Sequence, residues 1–183
     1  MQVRDMFLKN KNYTFIFFTI IFFLFCCNAF SKTNDKTNIL NHLNSLEYFS
    51  ASFLQNDGEN LSEGKVYIGK KRVRAEYFSP TNILIILDED KAMYYNYDLE
   101  EDEFFNPKNT NAWFFYDIFR NPLFFEDGSI QINNNELILE KQGVDLEGMN
   151  FLIRVYFEKS PLVLRALEVL VDANTLKLSI YNH

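Results

Sequence analysis

The chain offers few side chains of the kinds that enzymes use as nucleophiles, bases or metal ligands. It contains two histidines and two cysteines. Cys26 and Cys27 both lie in an N-terminal segment that we expect to be removed on export. His42 is predicted to be exposed on a helix, and His183 is the last residue. Nucleophilic and acid–base catalysis need positioned groups of these types. We therefore expect a protein that is not an enzyme and that has no cofactor and no metal.

Two segments approach the patterns of nucleotide and calcium sites. The sequence G-K-V-Y-I-G-K-K at Gly64–Lys71 comes near a phosphate-binding loop, but Lys71 stands where Ser or Thr would bind magnesium, and Val66–Ile68 has the pattern of a strand. Glu100–Glu103 is an acidic run. Successive side chains of a strand point to opposite faces, so these acids cannot converge on one calcium ion. We interpret the two segments as a strand and a solvated hairpin.

The segment Arg72–Tyr77 (R-V-R-A-E-Y) alternates charged and apolar residues. This is the pattern of a half-buried strand with a charged outer face, which explains it without any function. The functional alternative places one basic group of residues 70–74 at the rim of a cavity. There it would donate to backbone carbonyls of a helix over residues 110–120 and hold it shut. The candidates for this control of a lid are Lys70, Lys71, Arg72 and Arg74.

Strands make up most of the predicted secondary structure. A helix is expected over 36–46, where leucine and isoleucine recur at helical spacing. Short alternating runs separated by turn residues follow it. The predicted strands are 48–56, 61–69, 72–78, 82–88, 91–97, 101–105, 129–133, 136–142, 150–158, 162–171 and 174–181. Consecutive hairpins of this kind predict a mainly β protein with one strongly curved antiparallel sheet.

The first of these strands has an unusual apolar face. Phe49, Ala51 and Phe53 alternate with Ser50 and Ser52, so that two large rings flank an alanine. Such a face either packs a protein core or lines a space that protein does not fill. The strand by itself leaves both interpretations open.

An aromatic segment at 109–125 separates the two sets of strands. As a helix, its apolar side chains would cover well over half of the circumference. One interpretation is a helix that plugs the open end of a sheet, and the other is a lid over an apolar cavity. The residues concerned include Trp113, Phe114, Phe115, Ile118 and Phe119.

The N-terminus has the pattern of a secretory signal peptide over residues 1–31. Basic residues precede an apolar run at Tyr13–Phe25, and Ala29 and Ser31 are the small residues expected before a cleavage site. The run is too short to cross about 30 Å of hydrocarbon. A lipid attached to Cys26 or Cys27 and an uncleaved anchor are the alternatives. The net charge of −7 disfavours binding to nucleic acid and to anionic membranes.

Several segments resemble LolA, the family of periplasmic carriers of outer-membrane lipoproteins in Gram-negative bacteria. The resemblance covers residues 36–181. The segments that carry it follow the amphipathic helix in the order Phe49–Gln55, Gly64–Ile68, Arg72–Tyr77 with Ser79-Pro80, Ile83–Asp88, Met93–Leu99 and the aromatic helix. The family usually has K-R-P and a phenylalanine where this chain has Gly69-Lys70-Lys71 and Val73.

The resemblance implies an incomplete antiparallel β-barrel of about eleven strands with a helical lid, formed by residues 32–183. It implies a monomeric periplasmic chaperone that shields the acyl chains of lipoproteins between the inner and outer membranes. The implied partners are acylated lipoproteins, an inner-membrane ABC transporter that releases them, and an outer-membrane lipoprotein receptor. The implied cavity and lid residues are Phe49, Phe53, Val73, Tyr77, Ile83, Ile85, Trp113, Phe114, Phe115, Ile118 and Phe119.

Two alternatives remain within reach of the same sequence. One is an outer-membrane lipoprotein receptor of the same fold. The other is a periplasmic sensor or binding module that uses the curved sheet for a protein partner.

Overall fold

The computed structural model describes residues 35–145 and 148–182. Backbone packing divides the chain into two units, residues 1–38 and 39–183. Of the first unit, the description covers only residues 35–38, where a helix begins. The predicted signal peptide lies outside the described residues. The fold and the site described below belong to the second unit.

The described elements are two α-helices, one 3₁₀ turn and eleven strands. Helix α1 covers residues 35–45. The strands before the second helix are β1 (Phe49–Asn56), β2 (Leu61–Ile68), β3 (Val73–Ser79), β4 (Ile83–Leu87), β5 (Ala92–Asn96) and β6 (Glu101–Phe105). The 3₁₀ turn Pro107–Asn109 and helix α2 (Ala112–Arg120) come next. The remaining strands are β7 (Ser129–Asn133), β8 (Glu136–Val144), β9 (Asn150–Glu158), β10 (Val163–Val171) and β11 (Asn174–Tyr181).

All eleven strands form one antiparallel sheet in the order β6-β5-β4-β3-β2-β1-β11-β10-β9-β8-β7. Its two edges, β6 and β7, are consecutive in the chain, and the segment between them carries α2. The sheet therefore stays open at the point where the helix is inserted. The predicted fold class, a mainly β protein with an incomplete antiparallel sheet and few helices, is confirmed.

The strands agree with their predicted ranges to within two residues, because each one alternates cleanly and ends in turn residues. Helix α2 is shorter than the aromatic segment that predicted it. Asn121, which follows its last turn, is extended (φ −104°, ψ 101°). The next residue is Pro122, and a residue before proline is driven out of the helical region. Phe124 and Phe125 are buried beyond the helix end.

The inner face of the sheet holds the core. Strand β9 shows this most plainly, since Phe151, Ile153, Val155 and Phe157 are buried while the residues between them are more exposed. Leu43 of α1 and Phe114 of α2 belong to the same buried cluster. Alternation along the strands therefore creates one apolar surface, against which both helices pack.

Gly64 of β2 makes room for the ring of Phe53 on the neighbouring strand. A Cβ atom at residue 64 would lie 2.5 Å from Cζ of Phe53 and 2.4 Å from the carbonyl oxygen of Glu76. Phe53 is 1% exposed, so its ring has no free volume into which to retreat. The register of β2 against β3 also shifts at this glycine. The absence of a side chain at residue 64 is thus a requirement of the packing.

We predict that Gly64→Ala lowers the free energy of unfolding by about 1–3 kcal/mol, the usual cost of overpacking. Urea denaturation would measure the change. Gly69→Ala is the control, because the nearest atom to its new Cβ, the carbonyl oxygen of Arg72, is 3.5 Å away. We expect the control to stay within about 0.5 kcal/mol of the wild type. Equal effects of the two substitutions would contradict the packing argument.

Candidate functional site

A cavity of about 260 Å³ lies between the inner face of the sheet and α2; it is called the apolar cavity below. Strands β1 to β4, β10 and β11 supply its wall, and Ala112, Phe115 and Phe119 of α2 face it. Apart from Gln55, Asn111 and the hydroxyl of Tyr77, the lining side chains are aliphatic or aromatic. Such a surface can bind hydrocarbon, and it offers no group for covalent chemistry.

Six of the predicted cavity and lid residues line the apolar cavity. They are Phe53, Val73, Tyr77, Ile85, Phe115 and Phe119. Phe53 and Tyr77 meet edge to face, with ring centroids 5.0 Å apart. The question that the first strand left open is therefore answered for Phe53, which packs the core and also contacts the cavity.

The other five predicted residues do not line this cavity. Phe114 is fully buried and packs on Phe151, with ring centroids 4.9 Å apart. Trp113 contacts Phe114, Phe124 and Phe151. Ile118 is buried in the core, and Phe49 packs half-buried against it. Ile83 is half-buried at the start of β4.

Helix α2 thus has two different apolar faces. Trp113 and Phe114 pack against aromatic rings of the β9 side, whereas Phe115 and Phe119 border empty space. The sequence predicted one broad apolar surface and could not divide it, because the division depends on which strands lie on each side of the helix.

The prediction missed the contribution of the last strand. Leu176, Leu178 and Ile180 of β11 line the apolar cavity together with Leu167 of β10. Their alternation is visible in the sequence. Nothing in it, however, showed that β11 pairs with β1, which places these residues beside Phe53.

Gln55 and Tyr77 are hydrogen-bonded to each other within the apolar wall. The hydroxyl of Tyr77 donates to Oε1 of Gln55 at 2.7 Å. Burial raises the pKa of Tyr77 to about 12. The neutral phenol is therefore the form that the wall accommodates.

The basic residues predicted to control a lid either form ion pairs away from α2 or lie exposed. The Nε of Arg72 donates to Asp88 at 2.9 Å, and Arg74 pairs with Glu76. Lys70 and Lys71 lie exposed in the turn between β2 and β3. The structure does not show the predicted donation to α2, because alternation along β3 puts Arg74 opposite the cavity face and the other three candidates precede this strand. The interpretation as a strand with a charged outer face is the one that the structure supports.

Arg120, at the end of α2, links this helix to the segment that follows α1. Its guanidinium donates to the carbonyl oxygen of Leu46 at 3.2 Å, directly after α1. A cation at this place also suits the negative end of the α1 dipole. Nε of Arg120 is buried without a hydrogen-bond partner among the described residues, and burial lowers the pKa of the guanidinium. Nearby on the helix, burial raises the pKa of Asp117.

Side chains that could bind a metal ion or act in catalysis are few around the site. Among the described residues, no group of three or more His, Cys, Asp or Glu side chains is placed to hold a metal ion. His42 is half-buried, with its ring edge-on to Phe157 at 6.0 Å, so the prediction that it is exposed was wrong. No helix within residues 35–145 and 148–182 is long and apolar enough to cross a membrane.

No family model matches the chain, and no curated protein matches it in sequence. The resemblance to LolA stays a prediction that is carried by the segments described above.

We predict that Arg120→Met loosens α2 selectively. Losing the charged hydrogen bond to Leu46 should cost about 1–2 kcal/mol of local stability, a factor of roughly 5–30 in opening. Hydrogen exchange of the amides at 112–120 would therefore speed up, while exchange in β9 and β10 stays unchanged. Arg165→Met is the control, since Arg165 pairs with Glu158 away from the helix. Uniform acceleration across the sheet would show that Arg120 holds the whole fold, not the helix.

A second prediction concerns alkaline pH. The folded pKa of Tyr77 exceeds the unfolded value of 10.0, so below pH 10 both states are protonated and the stability is independent of this group. Between about pH 10 and 12 only the unfolded state loses the proton, and stability falls by about 2–3 kcal/mol. Tyr77→Phe should remove this part of the loss.

Urea denaturation of the wild type and of Tyr77→Phe at pH 9 and at pH 11.5 would measure the loss of stability. Burial also raises the pKa of Tyr156 to about 12, but Tyr156 contributes equally to both proteins. Parallel losses in the wild type and in Tyr77→Phe would contradict the role given to Tyr77.

Proposed function

We propose that the protein is a periplasmic carrier that shields the acyl chains of lipoproteins and moves them from the inner to the outer membrane. The apolar cavity beneath α2 is the observation that carries the proposal. Such a cavity favours hydrocarbon over polar ligands, because it offers very few groups that could satisfy buried donors or acceptors. The choice of lipoproteins as the cargo comes from the resemblance to LolA.

In this proposal α2 is the lid. With the helix in place the cavity is about 260 Å³, below the range of about 300–1,000 Å³ in which drug-sized ligands bind. The acyl chains of a lipoprotein need more room than that. The helix belongs to the one segment that joins the unpaired edges β6 and β7, so it can move without breaking the sheet.

A lid made of aromatic side chains also makes release feasible. Each methylene that leaves water contributes about 0.8 kcal/mol, so a lipoprotein in a permanently open cavity would be held too tightly to deliver. Cargo that must displace Phe115 and Phe119 gains only the difference between its own burial and theirs. When α2 closes again it favours release of the cargo, and the carrier itself uses no ATP.

We predict that Ala75→Phe blocks cargo binding by filling the cavity. Ala75 lies on the cavity wall of β3. A phenyl ring fits the space, since an apolar cavity of about 150 Å³ suffices to bind benzene, so the fold and the melting temperature should be preserved. Ala166→Phe is the matched control, because Ala166 is equally half-buried in β10 but does not line the cavity.

The measurement uses inner-membrane vesicles that contain lipoproteins and their ABC transporter. After addition of the mature protein and ATP, the supernatant is analysed for lipoprotein in a soluble complex. The wild type and Ala166→Phe should release lipoprotein, and Ala75→Phe should release less than a tenth as much. If the wild type releases none, the carrier proposal fails. Equal release by Ala75→Phe would remove the apolar cavity from it.

A further inference from the structure

A second cavity, of about 390 Å³, adjoins the apolar cavity and is called the mouth cavity here. The turn between β1 and β2 and the start of β11 form its rim. Its floor is apolar and includes Val169 and Val171 of β10. Asn111, Phe115 and Leu176 line both cavities, so the two spaces are neighbours at the beginning of α2.

The rim of the mouth cavity is polar and acidic. Asp57 and Glu59 contribute carboxylates, and Asn111, Asn174 and Thr175 contribute amide and hydroxyl groups. No lysine, arginine or histidine among the described residues lines it. An amphipathic ligand with its tail in the apolar cavity would therefore place its polar end among neutral donors and acceptors and two negative charges.

The carboxylate of Asp57 is held in a fixed position. Its Oδ1 accepts the backbone N–H groups of Glu59 and Asn60 at 3.0 and 2.7 Å. These bonds lower its pKa, so the group stays charged across the neutral range. The carboxylate of Glu59 has no hydrogen bond or ion pair within the described part of the chain, which leaves it available to a ligand.

The N-terminus of α2 exerts an opposite but weaker influence. A helix start carries the equivalent of about half a positive charge, which would favour an anion. Here the first amides already have partners, since Ala112 N–H donates to Oγ1 of Thr110 and Trp113 N–H to its carbonyl oxygen. The two full negative charges of Asp57 and Glu59 outweigh the remaining partial positive charge at the start of α2.

We propose that the mouth cavity binds the polar end of the acyl ligand and selects an ammonium group carried next to the hydrocarbon, against phosphate, sulfate or carboxylate. The inference rests on the proposed function, since it assigns the head of the ligand whose tail occupies the apolar cavity. An ammonium so placed would donate to Asp57, Glu59 and the side-chain oxygen of Asn111. Such a group occurs as the free α-amino group of a diacylglyceryl-cysteine peptide. The head of phosphatidylethanolamine also ends in an ammonium, but that group lies beyond a phosphate.

The test compares ligands with one tail and different heads: dodecylamine, dodecanoate and dodecyl maltoside, each below its micelle concentration. Displacement of a fluorescent apolar probe gives the dissociation constants. We expect dodecylamine to bind about five- to tenfold more tightly than dodecanoate at low salt, with the preference shrinking as salt increases. The double variant Asp57→Asn with Glu59→Gln should abolish the preference and leave the affinity for dodecyl maltoside unchanged.

The control removes the same charge from a distant place. Glu101→Gln with Asp102→Asn lies on the exposed edge strand β6 and should retain the preference. If all three ligands fail to bind, the carrier proposal itself fails. If they bind with equal affinity, or if the control loses the preference as the Asp57 and Glu59 variant does, only the assignment of the mouth cavity is overturned.

Two further ligands distinguish the sources of the ammonium group. One is a diacylglyceryl-cysteine peptide compared with its α-N-acetylated form, and the other is phosphatidylethanolamine compared with phosphatidylglycerol. Weaker binding of the acetylated peptide supports a lipoprotein with a free amine. A preference confined to phosphatidylethanolamine supports a phospholipid ligand. The absence of both preferences overturns the assignment.

Discussion

The pairing of β1 with β11 determines where the sheet is open. Ser52 lies opposite Tyr181 and Asn56 opposite Lys177, so the first and last strands lie side by side at the centre of the sheet. Two meanders of hairpins then extend outwards from this pair, one to β6 and the other to β7. The free edges are consecutive in the chain, and the segment that joins them must bridge the gap. The position of α2 follows from that constraint.

Helix α2 fills the gap in the sheet with two different faces. Its Phe114 side completes the core against Phe151, which anchors it through close aromatic contact. Its Phe115 and Phe119 side borders the apolar cavity, where packing is incomplete. Unfilled volume forfeits dispersion contacts, so this side contributes less to stability than the same rings would in a filled core. A ligand that fills the space can therefore compete with the helix.

Whether the sequence could predict the position of a site residue depends on the range of the interactions that fix that position. Phe53, Val73, Tyr77 and Ile85 line the apolar cavity because alternation along a single strand decides which face each residue joins. The prediction failed to separate Phe114 from Phe115, since their roles depend on strands that are distant from α2 in the chain. Arg120 went unnoticed for the same reason, because its partner is a backbone carbonyl that no sequence pattern marks.

The sequence by itself determined the strands, their turns and the shortage of groups suited to catalysis, because these depend on local alternation and composition. Only the tertiary structure decided that β11 completes the cavity wall, that α2 faces both core and cavity, and that the acidic turn of Asp57 borders a second space. These features arise from pairing between distant segments. Such pairing depends on the packing of whole faces, which strand alternation allows but does not specify.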